Sequence, residues 1–365
     1  MKRLAVLVLA GALAACGSSS GSGSSDAGAT PTAGANTPDA GPARGIATRD
    51  VATGLHVPWG IAFLPNGDAI VAERTTGRIL RIPKSGGKPR LAMSVPGVDT
   101  NAGEGGLLGL AVSPDYASDK LIYAYFTSTR GDNRIVRGKL GGTLRPILTG
   151  LHSGAIHNGG RIAFGPDGKL YAGVGETGNT AYAQNRKSLN GKILRMNPDG
   201  SVPPGNPFPG SLVWTLGHRN VQGLAWDRSG RMWASEFGQD TFDEVNLIRK
   251  GHNYGWPIVE GKGSTHGGKF TNPLLTWRTS QASPSGAAVK GSYLYVGALA
   301  GQRVWRMKIS GTRLGAPRKL LDGRYGRIRT VVLAPDGSLW LSTSNRDGRG
   351  SPRKGDDRIV SVTGG

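Results

Sequence analysis

Between Gly217 and Trp256 the chain sets a guanidinium, an amide and several hard oxygen donors within reach of one hairpin. His218, Arg219 and Asn220 stand directly ahead of an apolar run, Val221 to Trp226. A turn at 227–230 leads into a second run, Met232 to Ala234, and then to Glu236, Asp240, Asp243 and Glu244. The stretch closes on the aromatic turn Asn253-Tyr254-Gly255-Trp256. Short strands end in loops and loops carry chemistry, so these groups can meet at one edge of a sheet. The competing reading of Asp243 and Glu244 is a solvated hairpin tip.

Polar groups in the same setting recur elsewhere. Glu104 lies in Gly103-Glu104-Gly105-Gly106, His157 in His157-Asn158-Gly159-Gly160-Arg161, and Arg327 and Arg329 follow Gly326. Each stands just ahead of an apolar run, as Arg219 and Asn220 do. One such residue alone reads as a turn or cap with a local partner; several in the same register read as a shared site on loops.

The elements that must position them repeat. An apolar strand, a Pro-Asp-Gly-like turn and a second apolar strand occur six times, with turns at Pro65-Asn66-Gly67, Pro114-Asp115, Pro166-Asp167-Gly168, Ser229-Gly230, Lys290-Gly291 and Pro335-Asp336-Gly337. These turns lie roughly 45 to 65 residues apart, the spacing of propeller-type repeats. Asp-Gly between apolar runs is a strong hairpin signal, and 60 glycines with few long amphipathic periods argue against helices. The fold predicted is all-β, a six-bladed β-propeller, with blades of four strands around a central channel. Ring closure is expected between Gly45–Leu55 and the last strands, Arg358–Val362. The candidate groups, all ahead of first strands, then face one end of the channel.

Outside the repeats, Lys2 and Arg3 precede a short apolar segment, Leu4 to Leu13, too short to span a bilayer. It ends Leu13-Ala14-Ala15-Cys16-Gly17, which resembles a bacterial lipobox. Residues 1–15 read as a lipoprotein signal peptide and Cys16 as the lipidated residue, with an ordinary secretory signal as the alternative. Residues 16–44 are a Ser-, Gly- and Ala-rich tether, and 45–365 the propeller, ample for a core of its own. Cys16 is the only cysteine, so residues 17–365 hold no disulfide. The protein is expected outside the cytoplasm, anchored to the membrane by lipid. A formal charge of +21 is spread along the chain without a basic run or recognition-helix pattern. That argues against nucleic acid and for attraction to an anionic wall or membrane.

The ordered set of motifs resembles the soluble glucose/sorbosone dehydrogenases dependent on pyrroloquinoline quinone (PQQ), including the aldose sugar dehydrogenases. It consists of Gly105 to Leu110, His157 to Arg161, Gly191 to Arg195, Gly217 to Asn220 with Gln222 to Ala225, Asp243 to Asn246, and Asn253 to Pro257. The resemblance implies a six-bladed propeller that oxidises the C1 hydroxyl of an aldose to the lactone, with hydride passing to PQQ. It implies His157 as the base, Arg219 beside the quinone oxygen and Asn220 as an orienting group, all three catalytic. Glu104, Arg219, Asn220, Arg327 and Arg329 would contact the cofactor, the last two gripping its carboxylates. One Ca²⁺ would bridge PQQ to the main-chain carbonyls of Gly238 and Gln239, leaving the Gln239 side chain idle. A second, structural Ca²⁺ matches Asp243, Glu244 and the Tyr254 carbonyl. Where the glucose dehydrogenases carry a lysine near the cofactor, a glutamine, and an aspartate before the histidine, this chain has Ala300, Glu104 and Ile156. The loops 184–190 and 261–269 are candidates for setting ligand choice. The alternatives are a non-catalytic surface propeller that binds a saccharide or protein, and a propeller lactonase built on a metal. The sugar and the electron acceptor are not specified by these motifs.

Overall fold

The computed structural model describes residues 45–364; the segments read as export signal and tether, with Cys16, lie outside the described residues. Within them the chain forms six antiparallel sheets. The first strand of each is innermost: Pro58–Phe63, Leu107–Val112, Ile162–Phe164, Val221–Trp226, Pro284–Lys290 and Ile328–Leu333. Neighbouring blades pack in sequence order, inner strand to inner strand except that Val221–Trp226 meets the third blade through Leu170–Val174, and the last returns to the first. The six-bladed propeller expected from the repeats is the fold observed. The blades are four-stranded as expected, except that in the fifth Arg318–Leu320 joins as an extra pairing on Arg303–Ser310.

Closure also follows the expectation. Ala47–Ala52 pairs antiparallel with Ile359–Thr363, Ala47 opposite Thr363, so the start of the described chain supplies the outermost strand of the last blade. A closed ring leaves no long unpaired inner edge.

Strand periodicity explains the core. Successive side chains leave a strand on opposite faces, so each blade has two apolar faces, one for each neighbour. Ile70 and Ala72 join Leu107, Leu110 and Ile122 of the second blade, whereas Ala69 and Val71 join Trp340 and Ile359 of the sixth. One apolar cluster fills each of the six interfaces between blades.

The channel itself is crossed by a guanidinium. Arg161 donates from Nε to the carbonyl oxygen of Gln222 at 2.7 Å and from Nη2 to Thr330 Oγ1 at 3.0 Å, and it lies 4.2 Å from the ring centre of Trp59. Blades three, four, six and one therefore meet at this one side chain. Among the described residues it has no carboxylate partner, and burial followed by the nearby Arg329 charge pushes it down to about 9. Beyond it, towards the Pro-Asp-Gly turns, the channel is an apolar funnel of about 470 Å³ ringed by residues such as Phe63, Val112, Phe164 and Leu333.

Ile359 is fully buried on the strand that makes the closing pairing. Ile359→Ala should cost about 2–5 kcal/mol, read as a lowered midpoint in urea unfolding. A loss under ~1 kcal/mol would mean the last blade does not hold the ring together.

Candidate functional site

The inner strands run away from one end of the ring, and the loops ahead of them gather there. So do the loops between second and third strands. The site is built from both sets.

His157 sits in the first set and is buried. Its backbone takes a left-handed φ of 55°, uncommon for a side chain with a Cβ. Two contacts hold it there: its N–H donates to Glu104 Oε2 at 3.0 Å, and its carbonyl oxygen accepts from the Thr177 N–H at 3.2 Å. Gly175 is needed beneath it, because a Cβ at that position would lie 1.8 Å from the His157 carbonyl oxygen. The imidazole Nδ1 bonds Glu176 Oε1, and the other Glu176 oxygen is buried without a protein partner. Nδ1 engaged by a carboxylate leaves Nε2 as the free edge of the ring.

Glu104 connects this pair to a cavity of about 270 Å³ lined by Arg74, Glu104, Ala155, Arg329, Asp347 and Arg349 among others. Burial alone would raise the Glu104 carboxyl, but the His157 N–H and the Arg349 guanidinium, 2.7 Å away, pull it below its usual value. Arg327 bonds Asp347 Oδ2 through Nε and Nη2 at 3.1 and 3.0 Å. Arg329 reaches the same oxygen at 3.3 Å, as well as Ser344 Oγ at 3.1 Å and Gln222 Oε1 at 3.2 Å. Burial, partly offset by Asp347, brings Arg329 down to about 10. Arg74 is also buried, its Nε has no hydrogen-bond partner among the described residues, and burial lowers it too. Two buried guanidiniums thus share one aspartate, while buried Arg74 feels Asp347 and Glu104 only through space, so cations outnumber acids here.

Arg219 and Asn220 come as the sequence suggested, at the head of the fourth inner strand. The Arg219 N–H donates to Glu236 Oε1, and its Nε and Nη2 both reach Gln239 Oε1 at 3.0 and 2.7 Å. Trp256 lies beside it, 5.6 Å from the guanidinium carbon to the ring centre. The Gln239 side chain is therefore engaged, contrary to the expectation that it would stand idle. Asn220 is buried, and its Oδ1 accepts the Gly159 N–H at 3.0 Å, bracing the loop that carries His157.

The loop holding Gly238 and Gln239 wraps a carboxylate. Glu260 Oε1 accepts the N–H groups of Gln239, Asp240, Thr241 and Phe242 at 2.7 to 3.1 Å. The carbonyl oxygens of Gly238, Gln239 and Tyr254 accept no hydrogen bond among the described residues. Asp243 and Glu244 are buried within strand Phe242–Ile248, which excludes the solvated hairpin tip. As neighbours on one strand they leave it on opposite faces. Asp243 accepts the Gly238 and Ser283 N–H groups at 3.0 and 2.6 Å, while Glu244 accepts from Gly261 and Asn246 at 2.8 and 3.0 Å. The two carboxylates do not converge on one point, and among the described residues no three His, Cys, Asp or Glu side chains form a metal cluster. Burial pushes Asp243 up to about 7, and burial with the Glu236 charge pushes Glu244 up to about 8.

The sequence reading missed Glu176, Asp347, Arg74 and Glu260. Glu176 and Asp347 follow second strands, so the signal was a polar residue beside glycine at the far end of those strands. Ala300 is exposed after strand Tyr293–Ala298, and Ile156 is 39 % exposed; neither brings charge to the cavity. Gln184 and Arg186 line a separate groove with His266, Lys269 and Phe270, so the two loops marked as candidates for ligand choice do meet.

Residues 55–351 match the model of the glucose/sorbosone dehydrogenase family. The chain is 30 % identical to the aldose sugar dehydrogenase YliI of Escherichia coli, over 80 % of this chain and 89 % of that one. It is 35 % identical to quinoprotein glucose dehydrogenase B of Acinetobacter calcoaceticus, over 61 % and 54 %. Its fold superposes on the PQQ-bound aldose sugar dehydrogenase of Streptomyces coelicolor with a TM-score of 0.83 and 53 % identity, over 88 % of this chain and 98 % of that one.

Gln239→Ala should release the Arg219 guanidinium at a cost of about 1.5–3 kcal/mol in whatever Arg219 binds, with Gln239→Glu retaining part of it. Titration of PQQ into the two variants checks this. Equal affinities for wild type and Gln239→Ala would show that the side chain is idle after all.

Proposed function

The chain belongs to the glucose/sorbosone dehydrogenase family, and from that premise we propose that it oxidises the C1 hydroxyl of aldoses to lactones with PQQ and Ca²⁺. The observation that carries this reading is the His157–Glu176 pair near a cavity lined by buried Arg74 and Arg329, where Arg327 and Arg329 share Asp347. A tricarboxylate supplies the negative charge such a pocket lacks. Arg327, Arg329 and Arg74 would hold its carboxylates, and Arg219 would face the quinone oxygen. Glu104 does not oppose an anion there, because Arg349 already neutralises it.

Bound PQQ would accept the hydride that leaves C1. The chain's own part is proton handling and orientation. His157 Nε2 takes the proton of the C1 hydroxyl, and Glu176 on Nδ1 fixes the ring and stabilises the imidazolium. Arg219, held by Gln239 and Trp256, presents a fixed positive charge where negative charge grows. Asn220 acts through the Gly159 N–H and so positions His157. For Ca²⁺, the carbonyls of Gly238 and Gln239, unpartnered among the described residues, would hold a hard cation beside the cavity. Glu244 and the Tyr254 carbonyl would be donors for a second ion, with Asp243 bracing the Gly238 turn from the other face.

His157→Ala should lower sugar oxidation by about 10² to 10⁴ while PQQ still binds. Arg327→Ala should weaken PQQ by roughly 1.5–3 kcal/mol. Chelation should weaken PQQ and added Ca²⁺ restore it. Turnover over a panel of aldoses, PQQ titration and melting temperature together read all three; unchanged turnover in His157→Ala, or full PQQ affinity in metal-free protein, removes the corresponding assignment.

The segment before the propeller supports export and lipidation at Cys16. Cys16→Ser should move the protein from the membrane to the soluble fraction after a high-salt wash, which strips electrostatic adhesion by the basic body. Retention on the membrane after that wash would count against the anchor.

A further inference from the structure

The loops flanking the cavity mouth carry more positive charge than the chain neutralises there. Arg346, Arg349, Arg353 and Lys354 fall within nine residues, and all four are exposed. A neighbouring loop adds exposed Arg324: Arg353 donates from Nη1 to the Arg324 carbonyl oxygen at 3.0 Å and from Nη2 to that of Gly323 at 3.4 Å. Among the described residues only Arg349 of these five pairs its side-chain charge with a carboxylate, Glu104. Arg346 spends its Nε on the Asp356 carbonyl oxygen at 2.7 Å, and Arg324 lies 5.3 Å from the ring centre of Tyr325. The exposed acid beside Arg324, Asp322, is already taken by Arg303 at 3.0 Å and Lys319 at 3.6 Å. The patch borders the cavity directly, since Gly348 and Arg349 line it.

Clustered like charges repel, and an unpaired cluster at a mouth acts on what approaches it. Each sugar oxidised leaves two electrons and two protons inside, and an outside oxidant must remove the electrons. The channel is crossed by Arg161, so the oxidant meets the protein at this rim.

We propose that this basic rim is the docking surface for the electron acceptor, a small redox protein with an acidic face. The inference rests on the sugar dehydrogenase reading. With a blue-copper acceptor the balance is two copper(II) centres reduced to copper(I), one electron each, and two protons released to solvent. Complementary charge steers such encounters and raises their rate by about 10 to 10³, an effect that salt removes.

The test uses PQQ- and Ca²⁺-loaded protein with three acceptors: acidic plastocyanin, basic cytochrome c, and an uncharged small quinone. The variant is Arg324→Glu with Lys354→Glu; neither side chain donates a hydrogen bond among the described residues, and neither lines the cavity. Reduction of plastocyanin should outpace that of cytochrome c at low ionic strength, fall steeply with salt, and drop ~10-fold or more in the variant. Turnover with the quinone should stay unchanged. Calorimetric titration of plastocyanin should give the same loss of binding without any turnover. Equal use of the acidic and basic proteins, or a variant that matches wild type, overturns the proposal. So does binding to phosphatidylglycerol vesicles that is lost in the variant while plastocyanin reduction is not, which would assign the rim to a membrane. Failure with all three acceptors but intact, rim-dependent plastocyanin binding would count against the dehydrogenase reading and leave the surface standing.

Discussion

The site depends on an imbalance of buried charge. Arg74, Arg327 and Arg329 are withdrawn from water at or beside one cavity; Asp347 pairs with the last two, and Glu104, itself bonded to Arg349, is the other acid there. A guanidinium in a low-dielectric setting is costly without a counter-ion, so the cavity favours an anion over solvent. Burial by itself would raise the Asp347 carboxyl, yet the arginine pair holds it below its ordinary value. An anion that binds there stabilises the folded state by mass action, and it must share Arg327 and Arg329 with Asp347.

Placing those groups is the task of the ring. The six inter-blade cores fix the inner strands, and the strands fix where their loops begin. On the fourth blade one excursion adds a wall. After strand Phe242–Ile248 the chain runs parallel beside the third blade, with Asn253 bridging Leu216, before Trp256 arrives next to Arg219. Glu260 then inserts into the backbone of 239–242. A carboxylate gathering four N–H groups turns a loop of ordinary composition into a fixed shape.

Much of this was legible in the sequence. Pro-Asp-Gly turns between apolar runs gave the blade count, and Gly45–Leu55 with Arg358–Val362 gave the closing pair, because hairpin chemistry is local. His157, Arg219, Arg327 and Arg329 were legible as residues in a common register ahead of inner strands. Glu176 and Asp347 were not, because they belong to a second register at the far ends of the second strands, and only the ring brings both registers to one face. Arg74 carried no such register signal, and only the folded ring buries it against the cavity. Asp243 and Glu244 looked like a loop pair, but strand alternation parts them.

Arg161 makes the channel a blind alley. Under the proposed chemistry, sugar, lactone and oxidant would share a single doorway and so would queue. The lactone would have to clear the mouth before a bulky electron carrier could seat on it, and a seated carrier would bar the next sugar. The chemistry is thereby divided in time: one partner is served and gone before the other arrives. An excess of either partner then acts as an inhibitor, through no contact except occupation of the shared entrance.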